Sequence, residues 1–213
     1  MFITFEGIEG SGKGTAIKLI AEWLKNSGQN ILLTREPGGS SIGAGIRSML
    51  LSAKNTHLNA SAELFLYLAD RAQHVTEVVV PALQDGKTVI SDRYADSTIV
   101  YQGYGRGLPI HTLYTLNHIA VSGIWPELTI VLDLPVEVGL ERALKRNKEL
   151  GIEESEGRFE AESLDFHNKI RDGYLDWADE HPDRITVVDA LGTPEDVFGR
   201  IKPLVQELFL QQH

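Results

Sequence analysis

Short apolar runs alternate with longer amphipathic ones along this chain. Phe2-Ile3-Thr4-Phe5, Ile31-Leu32-Leu33-Thr34, Thr88-Val89-Ile90-Ser91, Leu128-Thr129-Ile130-Val131-Leu132 and Ile185-Thr186-Val187-Val188 are the short runs. Rich in branched and aromatic residues and bounded by polar sequence, they predict buried strands. Apolar spacing of three and four predicts helices over Ala16 to Lys25, Ile42 to Leu51, Ala62 to Leu83, His111 to Ser122, Pro135 to Arg146, Phe159 to Ala178 and Pro194 to Gln211. Strand and helix alternate throughout, which predicts a five-stranded parallel sheet covered by helices on both faces. Functional side chains are then expected at the carboxyl ends of the strands. No repeat or composition break divides residues 1–213, so one domain is expected. Two stretches leave the pattern. Asp92 to Gly107 reads as a polar stretch. Asn147 to Gly157 is charged, poor in apolar residues and punctuated by glycine. It predicts a short mobile surface segment, a lid over about 145–158.

Composition narrows the picture only a little. With 213 residues, 42% hydrophobic and 23% charged, the chain has the make-up of an ordinary water-soluble domain. A net charge of −10 argues against a broad nucleic-acid surface, so any phosphate must be held by local cations. There is no cysteine, hence no disulfide and no thiolate metal site. His74 and the other histidines lack metal-ligand spacing. No leader pattern and no run near the roughly 20 apolar residues of a membrane helix is present; a cytoplasmic protein with no membrane contact is the expectation.

The stretch Gly7-Ile8-Glu9-Gly10-Ser11-Gly12-Lys13-Gly14-Thr15 lies between the first strand and the first helix. Strand, glycine-rich turn, helix is the context of a phosphate-binding loop. Curled backbone N–H groups and a helix N-terminus offer positive partial charge to an anion, and Lys13 adds a full one. Gly14 stands where Ser or Thr usually follows the lysine, and Thr15 comes one place later. A Mg²⁺ ion would therefore either draw on Thr15 or rest mainly on phosphates, water and an acid elsewhere. Asp92, closing the third strand, is that acid; a buried strand ending in aspartate beside a phosphate loop is the form of a Walker B element. Tyr67 and Arg71 are four apart and project from one helix face.

Taken in order, Phe5-Glu6-Gly7-Ile8-Glu9-Gly10-Ser11-Gly12-Lys13, Thr34-Arg35-Glu36-Pro37-Gly38-Gly39, the Tyr67/Arg71 pair with Gln73-His74, and Asp92-Arg93 with Tyr101-Gln102-Gly103 resemble the thymidylate kinases. The likeness runs from residue 2 to about 190. It implies a P-loop NTPase fold, transfer of the γ-phosphoryl group of ATP to dTMP in dTTP biosynthesis, a Mg²⁺ requirement and a homodimer. Lys13 would hold the ATP phosphates, with Gly7 to Thr15 around them. Arg93 would span donor and acceptor phosphates. Glu9 would meet the 3′-hydroxyl of dTMP, or else point to solvent. Tyr67 would stack on thymine, Arg71 donate to its O4, and Thr98 face the base. Tyr101 would crowd the ribose 2′ position, with Ser97 and Gln102 as further contacts. Pro37 belongs to a matched loop and Arg47 would reach the dTMP phosphate. The phosphate loop has no arginine, while Arg142, Arg146 and Arg158 match basic positions of a bacterial subtype whose lid supplies the cations. Arg146 and Arg158 would then be catalytic and Arg142 would sit on ATP. The helices near 62–83 and 111–122 are the candidate dimer faces.

Two other readings fit parts of the chain. The Gly14-Thr15 pair is also found in adenylate kinase, which would make this a kinase for a different nucleotide. A nucleotide-binding adaptor would share the loop and lack an acceptor pocket. Arg47, Arg71 and Arg93 together favour an acceptor pocket.

Overall fold

The computed structural model describes residues 1–210, and Gln211, the last residue of the expected final helix, lies outside them. In chain order the elements are β1 (Phe2–Glu6), α1 (Lys13–Asn26), β2 (Ile31–Arg35), α2 (Gly43–Leu51), α3 (Ala60–His74), α4 (Val80–Gln84), β3 (Thr88–Asp92), α5 (Ala95–Thr98), α6 (Ile110–Val121), β4 (Leu128–Asp133), α7 (Val136–Leu150), α8 (Glu153–Glu156), α9 (Leu164–Glu180), β5 (Ile185–Asp189) and α10 (Pro194–Leu210). All the strands are parallel, in the order β2-β3-β1-β4-β5. The parallel sheet is the one the alternation predicts, and the whole is the P-loop NTPase arrangement that the family resemblance implies.

Strand alternation sorts the core into two layers. Phe2 and Val89 turn to one face, where Val75, Val79, Ala82 and Val121 bury against them. Ile3, Phe5 and Ile90 turn to the other and pack on Ile17 and Ile20 of α1. Thr4 and Thr129 are register partners on β1 and β4 and share a buried hydrogen bond of 2.8 Å. Beside them Asp96 takes a two-pronged ion pair from Arg184, 2.7 and 2.8 Å, and a bond from Trp177 Nε1. Burial alone would raise the Asp96 carboxyl, but Arg184 holds it below the ordinary value.

Three stretches depart from the expected elements. Residues 60–84 form one helical rod, but its middle, Val75–Val79, is a π-helix. The expected polar stretch after Asp92 is instead helical: α5 runs into a π-helix over Ile99–Gly105, with Ile99, Val100 and Tyr101 buried. Ser97, Thr98, Tyr101 and Gln102 of this stretch line a pocket. The third stretch is the segment expected to be mobile, about 145–158. The helix expected to stop at Arg146 continues to Leu150, Asn147 is buried, and α8 follows. Arg47 pairs with Glu156, and Ala53 N–H donates to the carbonyl of Glu154, so the segment lies down on α2.

Candidate active site

The phosphate loop closes around its own lysine. Lys13 Nζ donates to the carbonyls of Gly7 and Ile8, both at 2.9 Å, and to Ser11 Oγ at 3.3 Å. Burial, followed by the nearby Arg93 charge, lowers its pKa from 10.5 to about 8. Two glycines make the loop possible. Gly7 (φ 132°) and Gly10 (φ 70°) hold backbone that side chains rarely adopt, and a Cβ on Gly10 would collide with the carbonyl of Gly139 on α7. The start of α1 has no side-chain cap and no acid in its first turn, so its N–H groups are left for an anion.

Arg93 stands over this loop in a left-handed conformation, φ 69°. Such backbone is costly outside glycine and persists only where its surroundings fix it. Here Arg93 N–H donates to the Phe5 carbonyl at 2.9 Å, Ser91 Oγ donates to the Arg93 carbonyl at 2.8 Å, and Tyr94 N–H donates to Glu6 Oε1 at 2.8 Å. The guanidinium donates to Ser97 Oγ and Tyr174 Oη on one side, and to Glu9 Oε1 and Tyr101 Oη on the other. Tyr101 Oη in turn donates to Glu9 Oε1 at 2.6 Å. Burial pushes the Glu9 carboxyl up, but His167, Arg93 and Lys13 outweigh it and hold Glu9 ionised well below the ordinary range. Glu6, fully buried beneath, accepts from Ser97 at 2.5 Å and Tyr174 at 2.7 Å, and burial raises its carboxyl.

A single pocket receives most of the expected side chains. Glu9, Gly10, Lys13, Asp92 and Arg93 line it together with Pro37, Arg47, Tyr67, Arg71, Ser97, Thr98, Tyr101 and Gln102, and Arg146, Phe159 and Glu160 complete the lining. Asp92 reaches it half-buried, with no hydrogen-bond or ion-pair partner for its carboxylate among the described residues.

The structure gives several of the expected residues partners or positions that the sequence does not show. Arg71 lines the pocket but is not a free donor: Nε donates to Glu36 at 2.8 Å, Nη1 to Thr98 and Asn117, and Nη2 to the Tyr94 carbonyl. Arg47 is engaged by Glu156 and the Pro37 carbonyl. Arg158, expected among the catalytic cations, is buried outside the pocket. It donates to the Leu50 carbonyl and pairs with Glu63 at 2.7 Å, because Glu63 is fully buried and needs cations. Arg142 is exposed on α7 and does not line the pocket, since that helix turns Ala143 inward instead. Arg146 donates to Asn147 and Glu160. Thr15 is exposed on α1, two residues beyond Lys13, and lies outside the pocket lining. Gln102 donates to Glu63, and Ser97 to Glu6.

Sequence reasoning passed over the acids that hold these cations: Glu6, Glu36, Glu63, Glu156 and Glu160. It also passed over Tyr174 and His167 on α9. Glu6 and Glu36 sit inside the quoted motifs, and an acid in an otherwise apolar strand was the available signal for Glu6.

Fold and phosphate loop together define the class of a P-loop phosphotransferase, here with an arginine-rich pocket beside the loop. The family pattern described as thymidylate kinase matches residues 5–201. The chain is 61% identical to a thymidylate kinase of Nitratidesulfovibrio vulgaris (strain DP4), over 96% of this chain and 92% of that one. It is 54% identical to a thymidylate kinase of Oleidesulfovibrio alaskensis, over 98% and 99%. Among solved structures, thymidylate kinase from Ehrlichia chaffeensis superposes with a TM-score of 0.76 at 32% identity, covering 97% of this chain and 98% of that one. The chain belongs to the thymidylate kinase family. It is an enzyme of nucleotide biosynthesis that passes the γ-phosphoryl group of ATP to dTMP, giving dTDP and ADP.

Proposed function

We propose that Gly7 to Thr15 hold ATP while the adjoining pocket holds dTMP with its phosphate toward Arg93. The observation that carries this reading is Arg93 itself: a strained, fully scaffolded guanidinium that lines the same pocket as Lys13 and Asp92. Tyr67 stacks on the base. Arg71, fixed by Glu36 and Asn117, presents its edge and that of Thr98 to thymine. Tyr101 occupies the space a ribose 2′-hydroxyl would need, and Glu9 accepts from the 3′-hydroxyl. Arg47 exchanges Glu156 for the acceptor phosphate.

The acceptor oxygen is already anionic, so no strong general base is required. Rate then comes from alignment and from cations placed where charge moves. Lys13 draws charge on the donor side and Arg93 bridges donor and acceptor, while Arg146 closes in with the lid, which spans about 145–158 and excludes water. Among the described residues no three His, Cys, Asp or Glu side chains cluster to hold a metal alone. Mg²⁺ is bound in such sites by one or two carboxylates plus substrate phosphates; Asp92, whose carboxylate has no hydrogen-bond or ion-pair partner among the described residues, would hold it, with Thr15 at most an indirect contributor. Bound there, Mg²⁺ supplies neutralisation of phosphate charge. Phe65 on α3 and Ile119 on α6, 60% and 70% exposed, support a homodimer through these helices. Among the described residues no helix is long and apolar enough to cross a membrane; we place the enzyme in the cytoplasm.

The test is ATP with a panel of nucleoside monophosphates, scored for ADP and diphosphate. dTMP should be turned over far faster than its ribonucleotide. Tyr101→Ala should narrow that ratio and Tyr101→Phe preserve it. Arg93→Ala should cut kcat by about 10²–10³-fold, as loss of a transition-state donor does. An unchanged ratio in Tyr101→Ala removes the ring from sugar selection, and near-normal turnover of Arg93→Ala sinks the bridging role.

A further inference from the structure

His167, on the first turn of α9, is completely buried, and neither of its ring nitrogens has a hydrogen bond. Its Nδ1 lies 3.5 Å from Glu9 Oε2, which is itself buried without a hydrogen bond. Three unpaired polar atoms in one niche are a departure from the near-complete pairing of buried groups. The ring is already held from the side, edge-on to Phe166, and an apolar side chain would pack there without adding two unpaired ring nitrogens to the unpaired Glu9 Oε2. A purely structural role does not account for an imidazole.

The two oxygens of Glu9 are unequal. Oε1 accepts from Arg93 Nη2 and Tyr101 Oη, which fills both of its lone pairs. Oε2 has both of its lone pairs open and faces His167. A contraction of roughly 0.7 Å turns that approach into an ordinary charge-assisted hydrogen bond. The downward pull of His167 on the Glu9 carboxyl agrees with this pairing. One lone pair of Oε2 then belongs to the imidazole and the other is left for a donor in the pocket.

We propose that His167 is a positioning residue for sugar recognition: its Nδ1–H fixes Glu9 Oε2 so that the remaining lone pair meets the 3′-hydroxyl of the acceptor nucleotide. This rests on the assignment of Glu9 to that hydroxyl. The imidazole never touches substrate. It limits the carboxylate to one orientation, so its effect is confined to acceptors that carry a 3′-hydroxyl.

The experiment compares kcat/KM for dTMP and for its 3′-deoxy analogue, with ATP KM measured alongside. Glu9→Gln should narrow the dTMP preference. His167→Phe should narrow it by about tenfold, the effect of one charge-assisted hydrogen bond, leaving the 3′-deoxy analogue and the ATP KM unchanged. His167→Asn, whose amide nitrogen can stand in for Nδ1, should restore most of the preference. The double variant should lose no more than Glu9→Gln alone. If His167→Phe does not fold, His167→Leu carries the same comparison. A preserved preference in the apolar variant, with Glu9→Gln narrowing it, overturns the role of His167 alone. A preserved preference in Glu9→Gln overturns the Glu9 assignment and this inference with it.

Discussion

Lys13 and Arg71 are both buried cations, and they should answer mutation in opposite ways. Lys13 carries a burial penalty, visible in its lowered pKa, and its three bonds go to its own loop. Lys13→Ala should therefore leave the melting temperature unchanged or slightly raised while kcat falls by about 10²–10³-fold. Arg71 neutralises Glu36, which is 4% exposed, inside a network that engages four of its five N–H groups. Arg71→Ala leaves that carboxylate buried with only His74 beside it. The expected cost is about 3–5 kcal/mol in denaturant unfolding, in addition to weaker dTMP use. A loss of dTMP affinity with full stability would show that the network is not what holds Arg71. The contrast could not be read from the sequence. Tyr67 and Arg71 at helical spacing look alike whether the arginine is solvated or paired, because its partners Glu36, Thr98 and Asn117 lie 35, 27 and 46 residues away.

Among the elements, the strands and the phosphate loop were legible because a buried parallel strand is a short apolar run and the loop is local. The segment around residues 145–158 was legible only as a breach of pattern. Its sequence is charged whether it waves in solvent or lies against Arg47, and only the fold brings Glu156 to α2, 109 residues from Arg47. The π-helical turns at Val75–Val79 and Ile99–Gly105 were illegible because an extra residue per turn leaves ordinary apolar spacing nearly intact. The Arg47–Glu156 pair gives the lid a testable function. With side chains 20% and 35% exposed, it is a modest interaction. Glu156→Gln should free Arg47 and lower the KM for dTMP by about two- to fivefold at low salt, the scale of such a pair, and the gain should shrink as salt rises. A raised KM would instead make the pair part of the closed, productive lid.

For the molecule as a whole, stability should depend on pH through a carboxylate with poor compensation. Asp70 accepts only long bonds, both 3.2 Å, from Gly38 N–H. Burial, then Glu36, raises its pKa from 3.8 to about 6. A folded value above the unfolded one means that its contribution is complete below pH 3.8 and is lost as pH rises through 6. Asp70→Asn should match the parent at pH 4 and exceed it by about 1–2 kcal/mol at pH 7.5, allowing for solvent near the loop. Denaturant midpoints at the two pH values check this; a variant less stable at pH 7.5 would mean that the charge is compensated.

The place of β1 in the sheet has a consequence for biosynthesis. It is made before both of its neighbours, β3 and β4, which are closed by Asp92 and Asp133. Until Leu128–Asp133 has left the ribosome, β1 has an open edge. Gly10 meets its backstop, Gly139, later still. The strand and loop are thus made well before the segments that set them, and a nascent chain should not grip nucleotide until Gly139 has been made. Such long-range pairing is slow and exposed to misassembly. Ribosome stalling before Leu128 should therefore yield chains that give no nucleotide protection against proteolysis, however complete their phosphate loop.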